Sequence, residues 1–184
     1  MGMIGHNGGP TIEGGTRWRR HCWTAAREAL LPTLPIEVVR TRVRRAKELG
    51  LDYRTYASVR AQTGHDVVAF LFSSNALRVR ALSPALPQDR AVKLEAIRDA
   101  GRIGLAVAPL SPGLLAVNAQ LDASHAAPHV LAPFPVLART IRAALGNLAG
   151  DRVILVGDAP LEADWCAAGR LAAYLPAERY FGAA

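Results

Sequence analysis

From His65 onward, short apolar runs alternate with amphipathic stretches at a regular spacing. "DVVAFLF" (66–72) is continuously apolar and rich in β-branched and aromatic residues, the pattern of a strand buried on both faces. "RIGLAVAP" (102–109) and "DRVILVGD" (151–158) read the same way, and "RLAAYLP" (170–176) gives a short last strand. Between them lie helical segments. "DRAVKLEAIRDAG" (89–101) predicts a helix with Val92, Leu94, Ala96 and Ile97 inward and Gly101 closing it. "SPGLLAVNAQLD" (111–122) starts with the helix-opening pair Ser111-Pro112. "FPVLARTIRAALG" (134–146) and "PLEADWCAAG" (160–169) are two more helices, the latter with Pro160 in its first turn. Strand–helix alternation at this spacing predicts an α/β domain over residues 65–184. Its core is a Rossmann-like parallel sheet of about four to five strands with helices on both faces. Ligands of such sheets sit beyond the carboxyl ends of the strands. Ser73, Ala108 to Ser111 and Asp158 therefore share one rim.

The first third of the chain has a different period. "TRWRRHCWTAAREALL" (16–31) spaces Trp18, Cys22, Ala25, Ala26, Ala29 and Leu30 as one helix face, and Pro32 stops it. In the next segment Ile36, Val39, Val43 and Ala46 form an apolar stripe, while Arg40, Arg44 and Lys47 repeat on another face. Gly50 ends that helix, and a third, about 52–61, is capped by Asp52. The join, "AKELGLDYRTYASVRAQTG", resembles the helix-turn-helix of bacterial repressors. Ala46 matches the small packed residue, Gly50 the turn, and Leu49, Leu51, Tyr56 and Val59 the buried positions. The resemblance implies that Tyr53, Arg54, Thr55 and Ser58 open a recognition helix. Arg45 departs from it, standing where an apolar residue is usual. A short αα-hairpin with glycine at its turn gives a similar pattern without reading DNA.

Charge sharpens this division. The 184-residue chain carries a net charge of +7. Between Thr16 and Arg60 stand eleven basic residues against four acidic ones, so the whole excess falls there and the remainder balances. A basic face of this kind attracts polyanions over a Debye length of roughly 8–10 Å. The expected organisation is a Gly-rich tail at 1–15, a basic three-helix module at 16–63 and the α/β domain. Nucleic acid or an acidic protein surface is the expected partner of the module; a solvated face packed on the second domain is the plain alternative. No apolar run approaches the roughly 18 residues of a membrane span, and the opening "MGMIGHNGGPTIEGG" has no apolar centre for a signal peptide. Two distant cysteines, Cys22 and Cys166, suit free thiols in a reducing, cytoplasmic setting.

Candidate chemistry concentrates in "VILVGDAPLEADWCAAGRLAAYL". It resembles the fourth motif of the haloacid-dehalogenase-like hydrolases, in which a strand ends in Gly-Asp and a second acid follows about four residues later. Asp158 and Glu162 match those acids, with Asp164 a neighbouring alternative. "KLEAIRDAGRIGLAVAPLS" is similar to the helix and strand of the second motif, with Ser111 near its phosphate-binding hydroxyl. The family's first motif ends a strand in Asp-x-Asp-Gly, and its two acids serve as nucleophile and general acid–base. Here "VVAFLFSSNALRV" puts Ser73 and Asn75 at those places. The family's lysine is also missing, leaving Arg139 or Arg142 as possible substitutes. The resemblance, which covers about residues 65–176, thus implies a degenerate domain needing no cofactor. Its role would be binding or regulation, with Asp158, Glu162 and Asp164 as remnants of a ligand or metal site. The alternative is a Mg²⁺-dependent phosphohydrolase with an atypical nucleophile, favoured if another Asp or Glu reaches the strand-end rim. The plain reading of Asp158 is a helix cap.

Overall fold

The computed structural model describes residues 34–129 and 131–182. The Gly-rich tail and the first basic helix fall outside them. The chain divides into two compact units, Met1–Val39 and Arg40–Ala184.

The second unit is an α/β fold built on five parallel strands: β1 (Ala69–Ser73), β2 (Gly101–Ala106), β3 (Ala123–Ala126), β4 (Val153–Gly157) and β5 (Ala173–Pro176). Their order is β3-β2-β1-β4-β5, so the winding reverses between β1 and β4. Seven α-helices occur among the described residues: α1 (Ile36–Glu48), α2 (Tyr53–Thr63), α3 (Gln88–Glu95), α4 (Pro112–Leu115), α5 (Phe134–Leu145), α6 (Ala163–Gly169) and α7 (Ala177–Gly182).

Alternation along β1 creates two cores. Phe70 and Phe72, with Ile154, Val156 and Leu175, face a cluster holding Ala46, Leu49, Tyr56, Val59, Leu94 and Tyr180. Ala69 and Leu71, with Ile103, Leu105 and Leu155, face Leu137, Ile141, Trp165 and Ala168 of α5 and α6. Helices thus cover both faces, as the continuous apolar strands require. Ala46, Leu49, Leu51, Tyr56 and Val59 are all buried, the pattern expected of the α1–α2 join. They bury into the core of the sheet.

Arg45 explains its own departure. Its guanidinium donates to Asp66 Oδ2 at 3.0 Å and to the carbonyls of Val67, Arg98 and Asp99 at 3.0–3.1 Å. Tyr56 Oη donates to the other Asp66 oxygen at 2.8 Å. Burial alone would raise the Asp66 pKa, but these donors outweigh it and hold the carboxyl below its usual range. Gly50, at φ +66°, takes the left-handed position after α1 that a glycine fills without strain. Leu51 N then donates back to Ala46 O at 2.9 Å.

Three expectations need correction. The helix 89–101 runs only over Gln88–Glu95, and Gly101 opens β2 instead of closing a helix. Its inward residues are Arg90, Ala91 and Leu94, with Ile97 buried just beyond its end, whereas Val92 is 54% exposed and Ala96 is exposed. The segment after Ser111 forms a single turn, capped as expected by the Ser111 hydroxyl. Residues 123–126 then supply β3, an edge strand that hydropathy did not reveal.

Candidate strand-end site

The carboxyl ends of β1 and β4 meet where the winding reverses, the place where open α/β sheets bind ligands. The tie between them is Glu162. It is 2% exposed and bends back from a short 3₁₀ turn, Pro160–Glu162. Its Oε2 accepts from Ser73 Oγ at 2.8 Å, from Asp158 N at 2.7 Å and from Ala159 N at 3.2 Å. Its Oε1 accepts from Asn75 Nδ2 at 2.8 Å. Gly157 makes room for this fold-back: a Cβ there would lie 2.7 Å from Glu162 Oε2 and 2.7 Å from a Tyr174 ring carbon.

The structure therefore brings Ser73, Asn75 and Glu162 together, in one hydrogen-bond cluster. Ser73 is fully buried and also accepts from Ala76 N at 3.1 Å. Asp158 is exposed on the adjoining loop, and the cap position of the turn belongs to Ala159. Glu162, not Asp158, satisfies the amides there. Asp164 is exposed in the first turn of α6, and Ser111 is committed to capping α4. Arg142 lines a recess with Leu148, Asp151 and Arg170, at the amino end of β4 and thus at the opposite end of the strand from Asp158. Among the described residues, no three His, Cys, Asp or Glu side chains come together as a metal site.

Above the cluster is a cleft of about 510 Å³ lined by Ser74, Asn75, Arg78, Arg80, Ser83 and Asp158, among others. Among the described residues, Asp158 is the one carboxylate lining it. Arg78 holds a left-handed backbone, φ +56°, which a non-glycine residue adopts at a cost of about 1–2 kcal/mol. Neither the Arg78 nor the Arg80 side chain has a hydrogen-bond or ion-pair partner among the described residues. Close by, Arg90 is 5% exposed, with its guanidinium 3.9 Å over the Phe181 ring and its Nε unpartnered among the described residues. Burial lowers its pKa, and Arg78 lowers it further, while Asp89 and Asp158 oppose the shift. The donor set fits Mg²⁺ poorly: Glu162 is occupied by four donors, Ser73 is locked, and cationic groups outnumber the single available acid. An anion suits it better.

Sequence reasoning missed Arg78, Arg80 and Arg90. The available signal was "NALRVR", which places arginines directly after a strand end; charge averaged over the whole domain balanced to zero and concealed it.

On the helices, Arg40, Arg44, Lys47, Arg54 and Ser58 are exposed and Tyr53 is half-buried. Thr55 is buried instead, binding the Asp52 cap and accepting from Arg179 Nη2 at 2.6 Å. Arg44 approaches Glu48 at 3.9 Å. Cys166 is a free cysteine whose thiol pKa burial raises. No described helix is long and apolar enough to cross a membrane. Comparison with known proteins finds no matching family model, no matching curated protein and no matching solved structure.

Proposed function

We propose that this is a non-catalytic binding protein, in which a basic helical surface engages a polyanion and a degenerate haloacid-dehalogenase-like domain serves as sensor or scaffold. The observation that carries the second half is the engagement of Glu162 by Ser73, Asn75 and two backbone amides. A phosphoryl-transfer site of that family needs a free carboxylate nucleophile at the end of β1. Here that position is a buried serine that donates a hydrogen bond to Glu162, and among the described residues no acid other than Asp158 lines the cleft. The polyanion half rests on the exposed Arg40, Arg44 and Lys47 and on the charge excess between Thr16 and Arg60. Nucleic acid is the favoured polyanion because Tyr53, Arg54 and Ser58 stand at the start of α2, where a recognition helix would read it.

The test is p-nitrophenyl phosphate hydrolysis with Mg²⁺, run beside fluorescence anisotropy of labelled duplex DNA and labelled RNA on one preparation of the full chain. Expected are no turnover above background and binding at low salt. Turnover that Asp158→Asn abolishes would establish the phosphohydrolase instead. Failure to bind DNA or RNA at low salt would remove the nucleic-acid half.

A further inference from the structure

The cleft above Glu162 does not stop at its arginines. Ser74, Asn75, Val79, Arg80 and Ser83 also line a second lobe of about 460 Å³ that opens toward the end of β2. Its remaining walls are apolar: Ala81, Leu82, Val107, Ala108, Pro109 and Leu110. One lobe is thus cationic and the other greasy, joined through shared residues. Each is within the size range of small-molecule sites. Arg80 and Ser83 are bridged by paired backbone hydrogen bonds of 3.1 and 2.9 Å, forming a tight hairpin. Its tip carries Leu82, wholly exposed at the lip of the apolar lobe. A cationic pair without side-chain partners among the described residues, beside an apolar wall, is complementary to one ligand chemistry.

The geometry points to a small-molecule site for an organic anion: the anionic head lies between Arg78 and Arg80, and an apolar or aromatic body lies against Leu82, Val107, Pro109 and Leu110. Arg90 lies close to Arg78 and adds to the positive field, although its Nη1 stands 3.6 Å from Asp89 Oδ2; among the described residues Asp158 is the one carboxylate lining the cleft. Phosphate and carboxylate heads share the required chemistry, since a guanidinium binds either through paired hydrogen bonds. The inference deepens the binding role proposed above and rests on it.

Isothermal titration calorimetry of the full chain tests it, with 1-naphthyl phosphate and 1-naphthoate as probes. Inorganic phosphate and 1-naphthalenemethanol each supply half of the chemistry. At least one naphthyl anion should bind below about 1 mM, and each half-ligand about tenfold more weakly. Arg78→Ala and Arg80→Ala, both at exposed positions, should each lower affinity about tenfold, and Leu82→Ser should weaken naphthyl anions but not inorganic phosphate. The Arg40→Ala/Arg44→Ala variant should bind the probes normally, which separates this site from the helical surface. No binding of either naphthyl anion, or binding unchanged in Arg80→Ala, overturns the assignment. Hydrolysis of 1-naphthyl phosphate that depends on Arg80 upholds the site while overturning the non-catalytic role.

Discussion

Glu162 shows how one carboxylate can tie two strand ends together. Four donors converge on a side chain only 2% exposed, so truncation leaves the Ser73 hydroxyl and two amides short of their acceptor. Glu162→Ala should cost roughly 3 kcal/mol or more in urea denaturation, since each buried group deprived of its partner costs about 1–3 kcal/mol. Ser73→Asp tests the same contact from the other side. Its carboxylate would stand where the hydroxyl now donates to Glu162 Oε2, so two acids would meet with no proton between them. We expect a loss of roughly 2 kcal/mol, with a further Glu162→Gln change restoring at least about 1 kcal/mol as positive coupling in the double-mutant cycle. An additive double variant would mean that the two side chains do not share a proton-donor contact. In the sequence, Glu162 was visible as an acid four residues after Asp158. Spacing alone could not tell a carboxylate facing the cleft from one folded back beneath it; the clue was Gly157, whose missing side chain makes the space.

At the level of elements, long apolar runs were legible and weak ones were not. β1 and β4 announce themselves because every residue is buried. β3, "ASHA", lies at a half-buried edge and has neither β-branched nor large apolar residues. The end of α3 was misplaced because Ala96 to Gly101 continue a helical pattern in composition, whereas Asp99 turns left-handed at φ +50° and Arg98 N donates to Glu48 O at 2.9 Å. The tertiary tie to α1 overrides local preference there. Arg45 joins the same elements through Asp66, Val67, Arg98 and Asp99, and no one-dimensional pattern could assign it that role. Arg45→Leu should therefore destabilise the fold by roughly 2 kcal/mol in urea denaturation, because an apolar side chain leaves Asp66 and three carbonyls short of donors. Arg44→Leu, one position away and exposed with a side-chain relative exposure of 75%, should change stability by less than about 0.5 kcal/mol.

For the whole molecule, charge sets both the acid limit of the fold and the reach of its basic surface. Asp52, Asp66 and Asp122 all titrate below the ordinary 3.8 in the folded chain. The Thr55 side chain is the largest cause for Asp52 and the Arg102 side chain for Asp122, while at Asp66 the Tyr56 and Arg45 donors outweigh burial. Below that value the unfolded chain binds more protons than the folded one. The stability these groups contribute is therefore present above about pH 4 and lost as pH falls through the depressed values. A thermal melt series should show Tm falling below pH 4, and less steeply for Asp66→Asn, which removes one linked group. The basic surface should respond to salt. Arg40, Arg44 and Lys47 are exposed on α1. If three or four phosphates are neutralised, the logarithm of the duplex affinity should fall with the logarithm of salt concentration at a slope near −3. Arg40→Ala/Arg44→Ala should weaken binding to every sequence alike and flatten the slope to about −1, with stability little changed. Arg54→Ala, at the start of α2, should instead relax any preference among sequences. A slope that the double variant leaves at −3 would place the polyanion contact elsewhere on the chain.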